Sequence, residues 1–162
     1  DLVRRLSHYE LVEGRVLVAD EVQGRVYLNF GRFFAEDFTA VITADPQSTR
    51  ALCERADAYR EAGNWTAAIA DYESVLRLYP AHSHAALWLG AVLLQTGDSE
   101  RAVTLLNRAI DLGHPDLGSA YLFIGIAYQR LGQRELGIEA LRKSQERGDS
   151  RATAELRRIQ EE

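Results

Sequence analysis

The sequence predicts a mainly α protein: a solenoid of three paired-helix units with a C-terminal cap helix, preceded by a small three-stranded antiparallel β meander. Three observations carry that expectation. A period-two alternation runs from Leu11 to Ile42, a 3.6-residue period replaces it after Thr43, and small residues recur at a fixed interval through the helical part.

Residues 1–10 read as a short lead-in turn. In the alternating segment, Val16 and Val18, then Val26, Leu28 and Phe30, then Phe38, Ala40 and Ile42 mark three strands. Asp20 to Gly24 forms the expected hairpin connection, with glycine suited to positive φ, and Gly31 opens the second break. A meander of this size buries too little apolar surface to stand alone. Its face of Val16, Val18, Val26, Leu28 and Phe30 is therefore expected to pack on the first repeat helices, or an edge strand pairs with a partner chain or a second copy. Asp45 and Pro46, an N-cap acid and a residue favoured at the first helical position, mark the change of period. The boundary divides a β unit, 1–44, from a helical array, 45–162.

Within the array, Ala56, Gly90 and Gly125 lie 34 and 35 residues apart. Gly63, Gly97 and Gly132 keep those spacings, as do Ala68, Ala102 and Gly137, and then Tyr72, Leu106 and Leu141. Each unit reads as two helices, 45–82, 83–117 and 118–149, in which small residues on both helices allow close approach and the intervening glycine ends the first helix in the left-handed region. Unit two is one residue longer and ends in His114-Pro115. The segment 150–162 places Ala152, Leu156 and Ile159 on one face and Arg151, Glu155, Arg158 and Glu162 elsewhere, the pattern of a solvating cap for an open solenoid end.

This frame resembles the tetratricopeptide repeat. The likeness is carried by Ala51-Leu52 to Ala56, Ala58-Tyr59, Gly63-Asn64-Trp65, Ala67-Ala68-Ile69, Tyr72 and Leu78-Tyr79-Pro80 in unit one; it continues through Trp88-Leu89-Gly90, Gly97-Asp98 and Ala102-Val103, and through Tyr121, Gly125, Ala127-Tyr128 and Gly132. The resemblance implies a non-enzymatic protein-binding scaffold whose concave groove, lined by the first helix of each pair, holds a peptide or amphipathic helix. The implied groove residues are Arg50, Cys53, Asp57, Arg60 and Glu61; His84, Leu87, Ala91, Leu94 and Gln95; and Ser119, Leu122, Ile126, Gln129 and Arg130. Its middle is apolar and its ends are charged. The clamp with which some members hold a chaperone C-terminal carboxylate is missing, because its positions carry Cys53, Asp57, Trp88, Ser119 and Phe123. Leu87, Leu122 and Ile126 either meet a partner or pack on neighbouring helices, whereas Trp65, Trp88, Phe123 and Tyr128 read as interhelical core.

The β segment, through Gly14-Arg15, Tyr27-Leu28-Asn29-Phe30-Gly31 and Asp37-Phe38-Thr39, is similar to part of the bacterial thermonuclease-like proteins, whose strands build an oligonucleotide-binding barrel. That likeness implies the alternative function, a nuclease-derived oligonucleotide-binding module. Two of five barrel strands are lacking and the nuclease's catalytic set cannot be assembled, so no cleavage is expected.

Composition argues against a nucleic-acid partner. Net charge is −5, with five Arg against eight acids in residues 1–45, so neither part carries the positive field that nucleic acid requires. No apolar run reaches the roughly 20 residues of a membrane span, and a soluble chain is expected, with periplasm and cytoplasm both open. Methionine is absent even at position 1, which reads as a processed protein or an excised segment. The single cysteine, Cys53, forms no internal disulfide and reads as a packed or groove-lining residue; His82 and His84 make an incomplete metal site, and His8 and His114 read as capping or solvated. No catalytic motif, cofactor or metal is expected.

Overall fold

The computed structural model describes residues 18–22, 25–29 and 48–161. Strands β1 (Val18–Val22) and β2 (Arg25–Asn29) pair antiparallel, with Val18 opposite Asn29, Asp20 opposite Tyr27 and Val22 opposite Arg25. Asp20, Glu21 and Val22, expected in the connection, belong to β1. In this register every even-numbered residue of β1 is paired with an odd-numbered one of β2, and Leu28 pairs with Ala19, so Val18 does not share a register face with Val26 and Leu28. Alternation within each strand could not reveal this, because a shift of one residue in the connection exchanges the faces. The expected third strand, 38–42, lies outside the described residues, so the three-stranded meander is not supported; the Asp45-Pro46 boundary also lies outside them.

Seven helices follow among the described residues: α1 (Thr49–Glu61), α2 (Trp65–Leu78), α3 (Ser83–Thr96), α4 (Ser99–Asp111), α5 (Leu117–Arg130), α6 (Arg134–Glu146) and α7 (Ser150–Glu161). The chain forms two compact units, one ending at Tyr79 and the other beginning at Pro80. Helix starts are set by side-chain caps. Ser48, Asn64, His82, Asp98 and Asp116 each accept a hydrogen bond from the backbone N–H three residues on, satisfying donors that a helix N-terminus leaves open. The first helix is thus capped at Ser48, not at Asp45, since the hydroxyl of Ser48 reaches the Ala51 N–H. First helices end where the sequence predicts: Gly63, Gly97 and Gly132 have φ of 75°, 93° and 73°.

In the first unit, Ala56 and Ala68, both fully buried, lie at the crossing of α1 and α2, with Tyr72 and Val75 also enclosed. The Tyr72 hydroxyl donates to Asp57, and Arg55 grips Asp71 through two hydrogen bonds of 2.6 Å. In the second unit the same crossing recurs with glycine. A Cβ on Gly90 would lie 2.7 Å from Leu106 Cγ, and one on Gly125 would lie 2.6 Å from Leu141 Cγ and 3.1 Å from the Gly137 carbonyl oxygen. The helix pairs α3–α4 and α5–α6 therefore depend on those positions having no side chain.

Helix α7 closes the second unit as the sequence predicts. Ala152 and Ile159 are buried with Leu122 and Leu141, and Leu156, Ile126, Phe123 and Ile138 pack around them. Buried polar groups are spent locally: the fully enclosed Ser144 hydroxyl donates to the Gly118 carbonyl at 2.8 Å.

Candidate functional site

Each unit carries part of the expected site. On α1, Arg50 is exposed and pairs with Glu54 at 2.9 Å one turn on. Asp57 accepts from the Tyr72 hydroxyl and has Arg60 Nε at 3.9 Å, while Arg60 also reaches Glu61 at 3.2 Å. Cys53 is buried. Its thiol pKa is pushed up to about 12, first by burial and then by the negative charges of Asp57 and Glu54. Burial and the neighbouring carboxylates thus disfavour the thiolate, the nucleophilic form of the side chain.

In the second unit the expected apolar middle of the groove belongs to the interior. Leu87, Leu94 and Leu122 are 0%, 2% and 3% exposed, and Ala91 is also buried. These positions face the core because stacked helix pairs bury the first helix on more than one side, so the apolar stripe on α3 and α5 is wider than one groove could use. Conversely, Trp65, Trp88, Phe123 and Tyr128 are only half-buried. Trp88 and Phe123 meet edge to face at 6.2 Å between α3 and α5, and Arg151 lies 5.8 Å above Phe123, so these rings bridge helices at the margin of the core.

His114 is not solvated. It is buried, and its Nδ1 accepts from the Asp116 N–H at 3.1 Å. Burial, then the neighbouring His84, lowers its pKa, while the Asp116 backbone contact and charge act more weakly the other way. His82 caps α3 through Nδ1, accepting from the Ala85 N–H at 3.2 Å.

The structure brings three expected residues together at an open pocket of about 390 Å³ between α5 and α7. Ile126, Gln129 and Arg130 line one side, and Glu155 and Arg158 line the other. Ile126 supplies an apolar floor continuous with the Leu122–Leu141–Ile159 cluster. Arg130 donates to the Leu94 carbonyl in the last turn of α3, which fixes its stem across the helix ends. Arg158 Nη2 lies 3.3 Å from Gln129 Oε1 and 3.0 Å from Glu155 Oε2, tying α7 to α5. Glu155 and Arg158 are site residues that the cap-helix pattern alone places off the apolar face. Their only sequence signal is a three-residue Glu–Arg spacing, which any exposed helix face carries. Among the described residues, no helix is long and apolar enough to cross a membrane.

Known proteins fit this architecture. Models of the tetratricopeptide repeat match residues 35–72 and 53–116, and another matches 118–147. The first match begins at residue 35 and covers the segment expected as a third strand, 38–42, and no comparison supports a thermonuclease-like segment. Among solved structures, a crystal structure of MamA superposes with a TM-score of 0.70 at 25% identity, over 75% of this chain and 72% of that one. This chain spans 61% to 72% of the MamA chains it matches. YrrB, described as a TPR protein with an unusual peptide-binding site, gives a TM-score of 0.66 at 21% identity, over 75% of this chain and 63% of that one. The first TPR of Spaghetti (RPAP3), bound to the HSP90 peptide SRMEEVD, gives 0.65 at 23% identity, over 72% of this chain and 94% of that one. No curated protein matches the chain in sequence.

Proposed function

The chain belongs to the tetratricopeptide repeat family, and from that premise we propose that it is a non-enzymatic interaction scaffold holding a peptide or helix of a partner protein on the face formed by α3 and α5. The observation that carries this reading is the open pocket at the end of that face, where Ile126 offers apolar surface beside the polar heads of Gln129, Arg130, Glu155 and Arg158. Apolar floor with convergent polar groups is the usual make-up of a recognition pocket. The peptide-bound structure of Spaghetti and the peptide-binding site of YrrB support the same use of the fold. Contact with a partner falls to Ile126, Gln129 and Arg130 and not to Leu87, Leu94 and Leu122, because those leucines already form core. Arg50, Asp57 and Arg60 on α1 offer a separate polar surface.

Selection of a random peptide library against the full chain, followed by fluorescence anisotropy of a selected peptide, tests the proposal. Ile126→Asp is expected to weaken binding by about tenfold or more while leaving the helical circular dichroism intact. A library that yields no binder to the folded chain, or a binder indifferent to Ile126→Asp, overturns it.

A further inference from the structure

We infer that the pocket between α5 and α7 selects a partner segment with an acidic side chain next to an apolar one, the carboxylate pairing with the Arg130 guanidinium while the apolar group rests on Ile126. The inference rests on the peptide-binding reading above and names the chemistry of the segment that the pocket takes.

The charged residues that line the pocket are Arg130, Glu155 and Arg158, and the two on α7 already answer each other. Arg158 Nη2 lies 3.0 Å from Glu155 Oε2. Arg130, across the pocket on α5, is different. Among the described residues it joins no ion pair, and its polar contact is the bond from Nη1 to the Leu94 carbonyl. It is exposed, at the last position of α5. The bond to Leu94 anchors the head without bringing a counter-ion, and it spends a single N–H of a forked group whose remaining donors match the two oxygens of a carboxylate. A cation anchored by its own fold also loses less side-chain freedom on binding than a loose surface arginine does. The pocket therefore presents an accessible positive charge with no counter-ion beside an apolar floor, in a space of about 390 Å³.

Charge narrows the occupant. A carboxylate supplies the counter-ion that Arg130 lacks, whereas an ammonium or guanidinium on the partner would meet Arg130 and Arg158 together. A phosphate dianion fits less well, because Glu155 stands in the same pocket and repels its second charge. The carboxylate belongs to a side chain and not to a chain end: the pocket is open, and the cations with which some tetratricopeptide repeat proteins clamp a terminal carboxylate are missing from this sequence. The whole chain has a net charge of −5, which opposes a strongly acidic partner at long range, while the reach of Arg130 is limited to roughly 8 Å at physiological salt. One acid in an otherwise neutral or basic segment satisfies both limits. Arg130 then decides which residue stands beside the apolar anchor on Ile126.

The test uses the peptide selected above, amidated at its C-terminus so that no chain-end carboxylate is present. The selected sequence is expected to carry an Asp or Glu next to an aliphatic or aromatic residue. Replacing that acid by its amide should weaken binding to the unaltered protein roughly 2- to 5-fold at low salt, the range of an exposed ion pair, and the difference should vanish at about 1 M salt. Arg130→Gln should weaken the parent peptide by a similar factor and bind the acid and amide forms equally, so that the two losses combine to less than their sum. Because the peptide exchange uses unaltered protein, it reads the contact even if Arg130→Gln, which also alters the hold on Leu94, disturbs folding. If the peptide binds and depends on Ile126, but no exchange of an acid for its amide weakens it, acid recognition is overturned while the scaffold reading stands. An acid whose exchange costs as much in Arg130→Gln as in the parent protein overturns the assignment to Arg130. If no peptide binds the folded chain, both readings fall together.

Discussion

Replacing Gly125 by alanine sets two effects of known size against each other. In the middle of an α-helix the exchange ordinarily stabilises by about 1 kcal/mol, because glycine has more backbone freedom to lose on folding. At this position the new methyl would sit 2.6 Å from Leu141 Cγ, 2.8 Å from Leu141 Cδ2 and 3.1 Å from the Gly137 carbonyl oxygen. The nearest atom is a branch point of a fully buried side chain and the last is backbone, so relief requires α5 and α6 to separate or Leu141 to leave its rotamer. Overpacking of this kind costs about 1–3 kcal/mol. Subtracting the propensity gain leaves Gly125→Ala destabilised by roughly 1 kcal/mol, a fall in Tm of about 2–4 °C for a chain of this size. Thermal melts followed by circular dichroism measure it, with Gly118→Ala as the comparison. Gly118 lies on the same helix, but its nearest neighbour would be 3.4 Å from the added methyl, an ordinary contact, so no loss is expected there. A Gly125→Ala protein more stable than the parent by about 1 kcal/mol would show propensity acting without a clash and would refute the close-approach account of the repeat.

Other consequences are as direct. Cys53, buried and with its thiol pKa pushed up to about 12, should resist a water-soluble disulfide reagent in the folded protein and react at the ordinary rate once denatured, as absorbance of the released thiolate would record. Ser144→Ala should cost about 1–2 kcal/mol in urea unfolding, since it leaves the buried Gly118 carbonyl without its donor at 2.8 Å. For His114 the folded pKa lies below the ordinary 6.5, so its contribution to stability is complete above that value and lost as pH falls through and below it. Melting temperatures measured across this interval should decline on the acid side, and His114→Gln should flatten that decline. Asp149, held below the ordinary carboxylate range chiefly by its hydrogen bond from Arg151, should add a further loss only below about pH 4, which Asp149→Asn should remove.

How much of this was legible in the sequence depended on how local the determining contact is. The register of Ala56, Gly90 and Gly125 with Ala68, Ala102 and Gly137 could be read directly, because backbone approach at a helix crossing admits only small residues and recurs with the repeat. The burial of Ala152 and Ile159 on α7 follows from their spacing, whereas the one cap that the sequence located, Asp45, gives way to Ser48, because several capping residue types stand near each helix start. The hairpin faces were not legible, since cross-strand parity depends on the length of the connection and not on the alternation within either strand. Nor was the division of labour on α3 and α5. Leu94 and Ile126 look alike as apolar first-helix residues, yet one is enclosed and the other forms a pocket floor, a distinction set by what the neighbouring helices cover. Glu155 and Arg158 gain their meaning only from the placement of α7 beside α5, which brings residues about 30 positions apart within reach of each other.

The most direct test of the central claim is an amide NMR titration of the isotope-labelled full chain with the selected peptide. Binding at the α5–α7 pocket predicts shift changes concentrated at Ile126, Gln129, Arg130, Glu155 and Arg158, with the outward residues Leu136, Glu139 and Lys143 unmoved. Saturable changes centred on Leu136, Glu139 and Lys143 while the α5–α7 pocket stays silent would contradict it.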